Sequence, residues 1–101
     1  MERFSNRNVD EMGRLSLPLT LRKRAKWTQA TTLTFTQLGN VGILQSEHEI
    51  TGTHQVLVVL DELGRFTVPT DLRKKLGLEV RSEFYIYYID SGIVVIESGK
   101  D

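Results

Sequence analysis

The sequence predicts a mainly β protein with two short helices, arranged as two tandem copies of one unit. Three observations carry this expectation. Val-Asp-Glu-Met-Gly-Arg-Leu-Ser-Leu-Pro-Leu-Thr-Leu-Arg-Lys at 9–23 realigns on Leu-Asp-Glu-Leu-Gly-Arg-Phe-Thr-Val-Pro-Thr-Asp-Leu-Arg-Lys at 60–74, an offset of 51 residues. Each copy sets a proline at the head of a short stretch with apolar residues four apart. Each then follows that stretch with two β-branched or aromatic runs joined through a glycine turn.

The second copy carries the stronger signals. Residues 55–60 form an apolar run that reaches the Asp-Glu-Leu-Gly turn, where Gly64 supplies backbone freedom, and residues 65–68 read as a short alternating strand. Pro69 suits the first turn of a helix because its missing N–H would be unpaired there anyway. Leu72 and Leu76 make the inward stripe of that helix, and Gly77 is its expected C-terminal cap. Residues 83–89 and 93–96 read as the two strands of a hairpin around Asp90-Ser91-Gly92.

The first copy repeats this order more weakly. Residues 15–17 are the short strand, Pro18 opens a helix with Leu21 and Ala25 inward, and Lys26 stands where Gly77 predicts a glycine. Leu33 and Phe35 alternate along a strand, Gly39-Asn40 is a turn, and residues 41–44 return. The polar stretch before the second copy contains Gly52 and reads as a linker. The expected organisation is a first repeat at 1–46, a linker at 47–54 and a second repeat at 55–101. Units this small bury a core only by packing on each other, so neither is expected to be stable alone.

Composition narrows the function. Hydrophobic residues at 40% and charged residues at 26% fit a folded globular chain rather than a disordered or fibrous one. The absence of cysteine removes disulfides, thiolate nucleophiles and cysteine zinc sites, and fits a reducing cytosol. The N-terminal stretch has no apolar signal region, and no apolar run approaches the roughly 18 to 20 residues of a membrane span, so a cytoplasmic protein is expected. A formal net charge of zero argues against a protein that coats nucleic acid through bulk charge. The charge is unevenly spread, however. Residues 10–44 hold five basic against two acidic residues, whereas acidic residues offset the basic ones in the second half.

The run Asp-Glu-Leu-Gly-Arg, three residues, Pro, two residues, Leu-Arg-Lys, a Leu-Gly-Leu helix end and a Tyr-Ile-rich hairpin resembles the AbrB, SpoVT and MazE superfamily of swapped-hairpin DNA-binding domains. The second copy matches from about Val56 to Ser98, and the first matches over Val9 to Lys23 and in outline beyond. Two copies in one chain are similar to the arrangement of the MraZ regulators, whose Asp-x-x-x-Arg signature is seen here at Asp10 to Arg14 and Asp61 to Arg65. The resemblance implies a swapped-hairpin, barrel-like core formed within one chain as an intrachain pseudo-dimer. It also implies sequence-dependent binding of double-stranded DNA by a transcription regulator of the nucleoid, with no cofactor.

The resemblance carries DNA contact onto Arg14 and Arg65 after the glycine turns, onto Arg22, Lys23, Arg73 and Lys74 in the helices, and onto Arg7, three residues before the first aspartate. Val58 occupies the Arg7 position in the second copy. Guanidinium groups grip phosphates or read guanine edges, and lysines neutralise phosphates as point charges. Without the resemblance, Arg22–Arg24 and Arg73–Lys75 read equally well as solvated helix faces.

Other polar residues read more simply. Asp10 and Asp61 are expected to cap the local backbone of their turns or to pair with the nearby arginine. Glu11 and Glu62 lack any recurring nucleophile or base, so an enzyme is not expected. His48 and His54, with Glu47 and Glu49 nearby, have no recurring ligand spacing and read as surface histidines. Tyr85, Tyr87 and Tyr88 fit cross-strand packing or a subunit interface better than a stacking platform for single-stranded nucleic acid, and Trp27 reads as core. Two other functions stay open. One is an antitoxin with a toxin partner, less expected because such antitoxins carry a further tail and only three residues follow Ser98. The other is a protein-interaction barrel that binds no DNA. The sequence also leaves open self-association beyond the intrachain pair.

Overall fold

Alternation decides how each strand faces, and two glycine-turn hairpins with apolar inner positions dictate most of the sheet. The computed structural model describes residues 2–90 and 92–99. The elements run β1 (Glu2–Asn8), β2 (Arg14–Ser16), α1 (Leu19–Ala25), β3 (Thr32–Leu38), β4 (Val41–Ser46), β5 (Gln55–Val59), β6 (Arg65–Thr67), α2 (Thr70–Leu76), β7 (Glu83–Asp90) and β8 (Ile93–Ser98). The fold is therefore mainly β with two short helices. Ser91, in the expected β7–β8 turn, lies outside the described residues.

Six strands form one antiparallel sheet in the order β1-β7-β8-β4-β3-β5, and β2 pairs with β6 in a separate two-stranded ribbon. The six-stranded sheet is open, with β1 and β5 at its edges. Each hairpin pairs internally, and β4 and β8 join the two hairpins side by side. The leading strands cross over: β1 lies on β7, and β5 lies on β3.

The offset of the sequence repeat persists in the hydrogen bonds. Val9 N–H donates to Ser82 O at 2.9 Å, and Leu60 N–H donates to Thr31 O at 3.0 Å. Arg81 N–H donates to Val9 O at 2.7 Å, and Ala30 N–H donates to Leu60 O at 2.9 Å. Ala30 and Arg81, at corresponding positions, both take positive φ.

One apolar cluster draws on both halves of the chain. Val9, Leu15, Leu21, Trp27, Phe35 and Leu44 from the first half pack with Phe66, Leu72, Leu78, Phe84, Ile86 and Ile96 from the second. The rings of Phe35 and Phe66 lie 6.2 Å apart between centroids. Gly42 leaves room for the tip of the Phe35 ring against β4, since a Cβ there would come within 2.8 Å of Phe35 Cε1. Among the described residues Thr34 is the buried polar side chain, and its hydroxyl accepts the His48 N–H at 3.1 Å.

The helices begin one residue later than the prolines suggest, with Pro18 and Pro69 at the N-cap positions instead of inside the first turn. Their last turns carry Arg22, Lys23 and Arg24, and Arg73, Lys74 and Lys75, where cations complement the helix dipole. Both helices close on a left-handed residue. In α2 this is Gly77 at φ 71°, as expected, whereas in α1 Lys26 takes φ 63° and ψ 35°. The missing glycine has left the cap geometry unchanged. Residues 47–54 contain no helix or strand. No helix is long and apolar enough to cross a membrane among the described residues.

Candidate nucleic-acid interface

The ribbon of β2 and β6 gathers the arginines that follow the glycine turns. Its register sets Leu15 opposite Phe66, Arg14 opposite Thr67 and Ser16 opposite Arg65. Leu15 and Phe66 point into the core, so Arg14, Ser16, Arg65 and Thr67 share the outer face. The two arginines are diagonal neighbours, within reach of one ligand. Ser16 and Thr67 were not singled out in the sequence. Their signal was the hydroxyl that recurs at corresponding positions of the two copies.

Each arginine is held by the aspartate four residues earlier. Asp10 Oδ1 accepts the main-chain N–H groups of Met12 at 2.9 Å and Arg14 at 2.8 Å, and Oδ2 accepts Arg14 Nε–H at 2.7 Å. Asp61 does the same with Leu63 at 2.9 Å, Arg65 N–H at 2.8 Å and Arg65 Nε–H at 2.7 Å. This is the capping role expected for both aspartates. The Arg14 N–H, foremost, holds the Asp10 carboxyl below its ordinary value; partial burial opposes this and the guanidinium reinforces it. At Asp61 burial is the largest influence and pushes upward, but the Arg65 and Leu63 bonds together outweigh it and the carboxyl titrates low. Because only Nε of each arginine is bound to carboxylate, the terminal guanidinium nitrogens of Arg14 and Arg65 make no hydrogen bond among the described residues.

The helix arginines do something the sequence did not suggest. Arg22 Nε–H donates to Leu17 O at 3.1 Å, and its side chain lies across Gly64 of the other copy, where a Cβ would come within 2.6 Å of Cδ and Cζ. Arg73 Nε–H donates to Val68 O at 3.1 Å, and its guanidinium lies across Gly13, where a Cβ would come within 3.0 Å of Cζ. Gly13 and Gly64 thus serve twice: they take φ of +79° and +75°, and they leave room for an arginine from the opposite copy. Arg22 and Arg73 buttress the turns from which Arg65 and Arg14 project.

The other expected contacts are scattered. Lys23 and Lys74 are exposed and have no ion pair among the described residues. Arg7 is exposed on edge strand β1 opposite Phe84, outside the ribbon, and its counterpart Val58 is buried in the core. Other cations are already engaged. Arg24 pairs with Glu2 and lies 5.4 Å from the Tyr88 ring centroid, Arg3 lies 4.3 Å from that of Tyr85, and Arg81 bonds Glu11 at 2.9 Å. The tyrosines of β7 are half-buried under these contacts. Tyr87 donates its hydroxyl to Glu97 at 3.0 Å, a bond that raises its pKa. No group of three His, Cys, Asp or Glu suited to a metal occurs among the described residues. His54 instead sits 3.5 Å from the Lys75 amine.

No protein-family model matches the chain, and no curated protein matches it. Among solved structures it is similar to the solution structure of PHS018 from Pyrococcus horikoshii. The identity is 16%, the coverage 95% of this chain and 86% of that one, and the TM-score 0.47. Likeness at that level carries no argument about function.

Proposed function

We propose that the chain is a sequence-dependent double-stranded DNA-binding transcription regulator that meets DNA with the outer face of the β2–β6 ribbon. The observation that carries this reading is the matched pair Arg14 and Arg65. Each is fixed through Nε to an aspartate and buttressed from the opposite copy, with its terminal nitrogens left to bond phosphates or guanine edges. A two-stranded ribbon is narrow enough for the major groove, and holding the arginines before binding reduces the entropy lost on contact. Lys23 and Lys74 supply further point charges from the two helices. In this reading the crossed placement of β1 and β5 is a swapped-hairpin exchange between two tandem repeats of one chain, a pseudo-dimer whose local two-fold matches a pseudo-palindromic site.

The charge balance sets the expected strength. With Asp10 and Asp61 offsetting two arginines, affinity rests on few phosphates, and about four contacts give a slope of log K against log salt near −4. The test is binding to labelled fragments of the upstream region and to random competitor DNA at several salt concentrations. It is run beside an Arg14→Ala/Arg65→Ala variant whose folding is checked by circular dichroism. Salt-sensitive, competitor-resistant binding that the folded variant loses supports the reading. No binding by the parent at low salt refutes it and leaves an interaction module or toxin-binding protein in its place.

A further inference from the structure

The two copies differ at the ends of their helices, and a groove lies at that end of the first copy. In the first copy an open groove of about 500 Å³ is floored by Leu19 and Trp27 and rimmed by Arg22, Lys23 and Lys26. Its lining is mainly apolar and includes no acidic residue. Leu19 is 54% exposed and Trp27 only 4%, so the groove shows a solvent-facing leucine beside the sunken edge of the chain's sole tryptophan.

The corresponding positions of the second copy carry different residues. Thr70 stands for Leu19, Gly77 for Lys26, Leu78 for Trp27 and Glu79 for Thr28. There Arg73 spans the helix end, with Nη2–H donating to Thr70 Oγ1 at 3.3 Å and Nη1–H to Leu78 O at 3.3 Å. Leu19 offers Arg22 no such acceptor, and the Arg22 side chain bonds only Leu17 O among the described residues. Lys26 also sits in a left-handed conformation that glycine adopts freely and lysine rarely does, so the first copy keeps a cation at the rim against its backbone preference.

We propose that this groove docks a partner protein through an acidic segment bearing one apolar anchor, the anchor lying on Leu19 and Trp27 and the flanking carboxylates meeting Lys23 and Lys26. Charge complementarity selects the occupant: three cations surround an apolar floor with no carboxylate to repel the segment. Duplex DNA matches the rim but offers no apolar knob for the floor. The site shares Lys23 with the DNA reading, but Leu19, Lys26 and Trp27, on which its test rests, lie outside that reading, so either idea can fail without the other.

Trp27 fluorescence reads the groove directly. The full chain is titrated with a panel of short synthetic peptides rich in Asp and Glu, each with a central Leu, Ile, Phe or Met. Matched peptides carry glycine at the anchor, and a duplex DNA serves as the competing ligand. Leu19→Thr and Lys26→Gly place the second copy's own residues in the groove, and a thermal melt confirms their folding. The expected result is a saturable change in Trp27 emission with anchored acidic peptides, weakened about tenfold by the anchor-to-glycine change and by either variant. The proposal is overturned if no anchored peptide gives a saturable change, if the anchor-less peptides bind equally, or if both folded variants bind like the parent. A Trp27 response to DNA that both variants abolish also overturns it, assigning the groove to nucleic acid.

Discussion

Lys26 closes α1 in the left-handed region while Gly77 closes α2 in nearly the same geometry, so Lys26→Gly asks what the side chain costs its own backbone. A non-glycine residue in that region costs roughly 1–2 kcal/mol because Cβ crowds the carbonyl oxygen. Glycine returns about 0.5–1 kcal/mol of this through the greater freedom of the unfolded chain. Losing one exposed cation at a helix C-terminus removes about 0.3 kcal/mol, and Arg22, Lys23 and Arg24 remain there. The net expectation is a gain of about 0.5 kcal/mol, a rise in Tm of roughly 2–4 °C for a chain of this size. Urea and thermal unfolding measure it, with the reverse change Gly77→Lys as an internal control. A Cβ at Gly77 meets Ser98 Oγ no closer than 3.4 Å, so the control adds no severe clash and is expected to lower stability by a similar amount. A Lys26→Gly protein less stable than the parent would refute the reasoning and show that the lysine side chain contributes more than its backbone strain takes away.

The glycine turns give a graded pair. Gly64→Ala is expected to cost about 2–3 kcal/mol and Gly13→Ala about 1–2 kcal/mol, because a Cβ at 64 drives further into the arginine lying across it. Denaturant titration measures both, and equal costs would remove the steric part of the argument. Adding Arg22→Ala to Gly64→Ala should recover part of the loss, a coupling on the order of 0.5–1 kcal/mol in a double-mutant cycle. The turn aspartates set an acid limb. Both carboxyls titrate below their ordinary 3.8 in the folded protein, so their contribution is complete above that value and is lost as pH falls beneath it through the lowered folded values. Asp10→Asn/Asp61→Asn should therefore flatten stability against pH below about 4, and an unchanged acid slope in urea melts would count against these bonds.

Much of the fold was legible because the copies explain each other. The offset located both strands of the ribbon, both helices and both hairpins, and the capping aspartates follow from an Asp-x-x-x-Arg turn alone. Strand β1 was not foreseen, because Glu-Arg-Phe-Ser-Asn-Arg-Asn lacks an apolar alternation and its place is set by the hairpin it lies on. The crossed pairing of β1 and β5 was not foreseen either: the resemblance implied an exchange of hairpins within one chain without naming these strands, and periodicity identifies a strand without naming its neighbour. The expected barrel-like core stays a proposal, because the six-stranded sheet is open, with β1 and β5 at its edges. At the candidate interface, charge and spacing located Arg14 and Arg65 but gave no hint that Arg22 and Arg73 lie across the opposite glycines. That contact arises only when the two halves meet.

The crossing of the leading strands also has a consequence in time. On the ribosome, β1 must wait for β7, its partner more than seventy residues away in the register Glu2 to Tyr88, before its hydrogen-bonding edge is covered. Hairpins β3–β4 and β7–β8 can close locally, but long-range pairings form late and slowly because loop closure precedes their reward. A nascent chain of this protein therefore leaves the exit tunnel with β1 uncovered. Its polar, doubly arginine-bearing sequence is well suited to remain soluble through that interval.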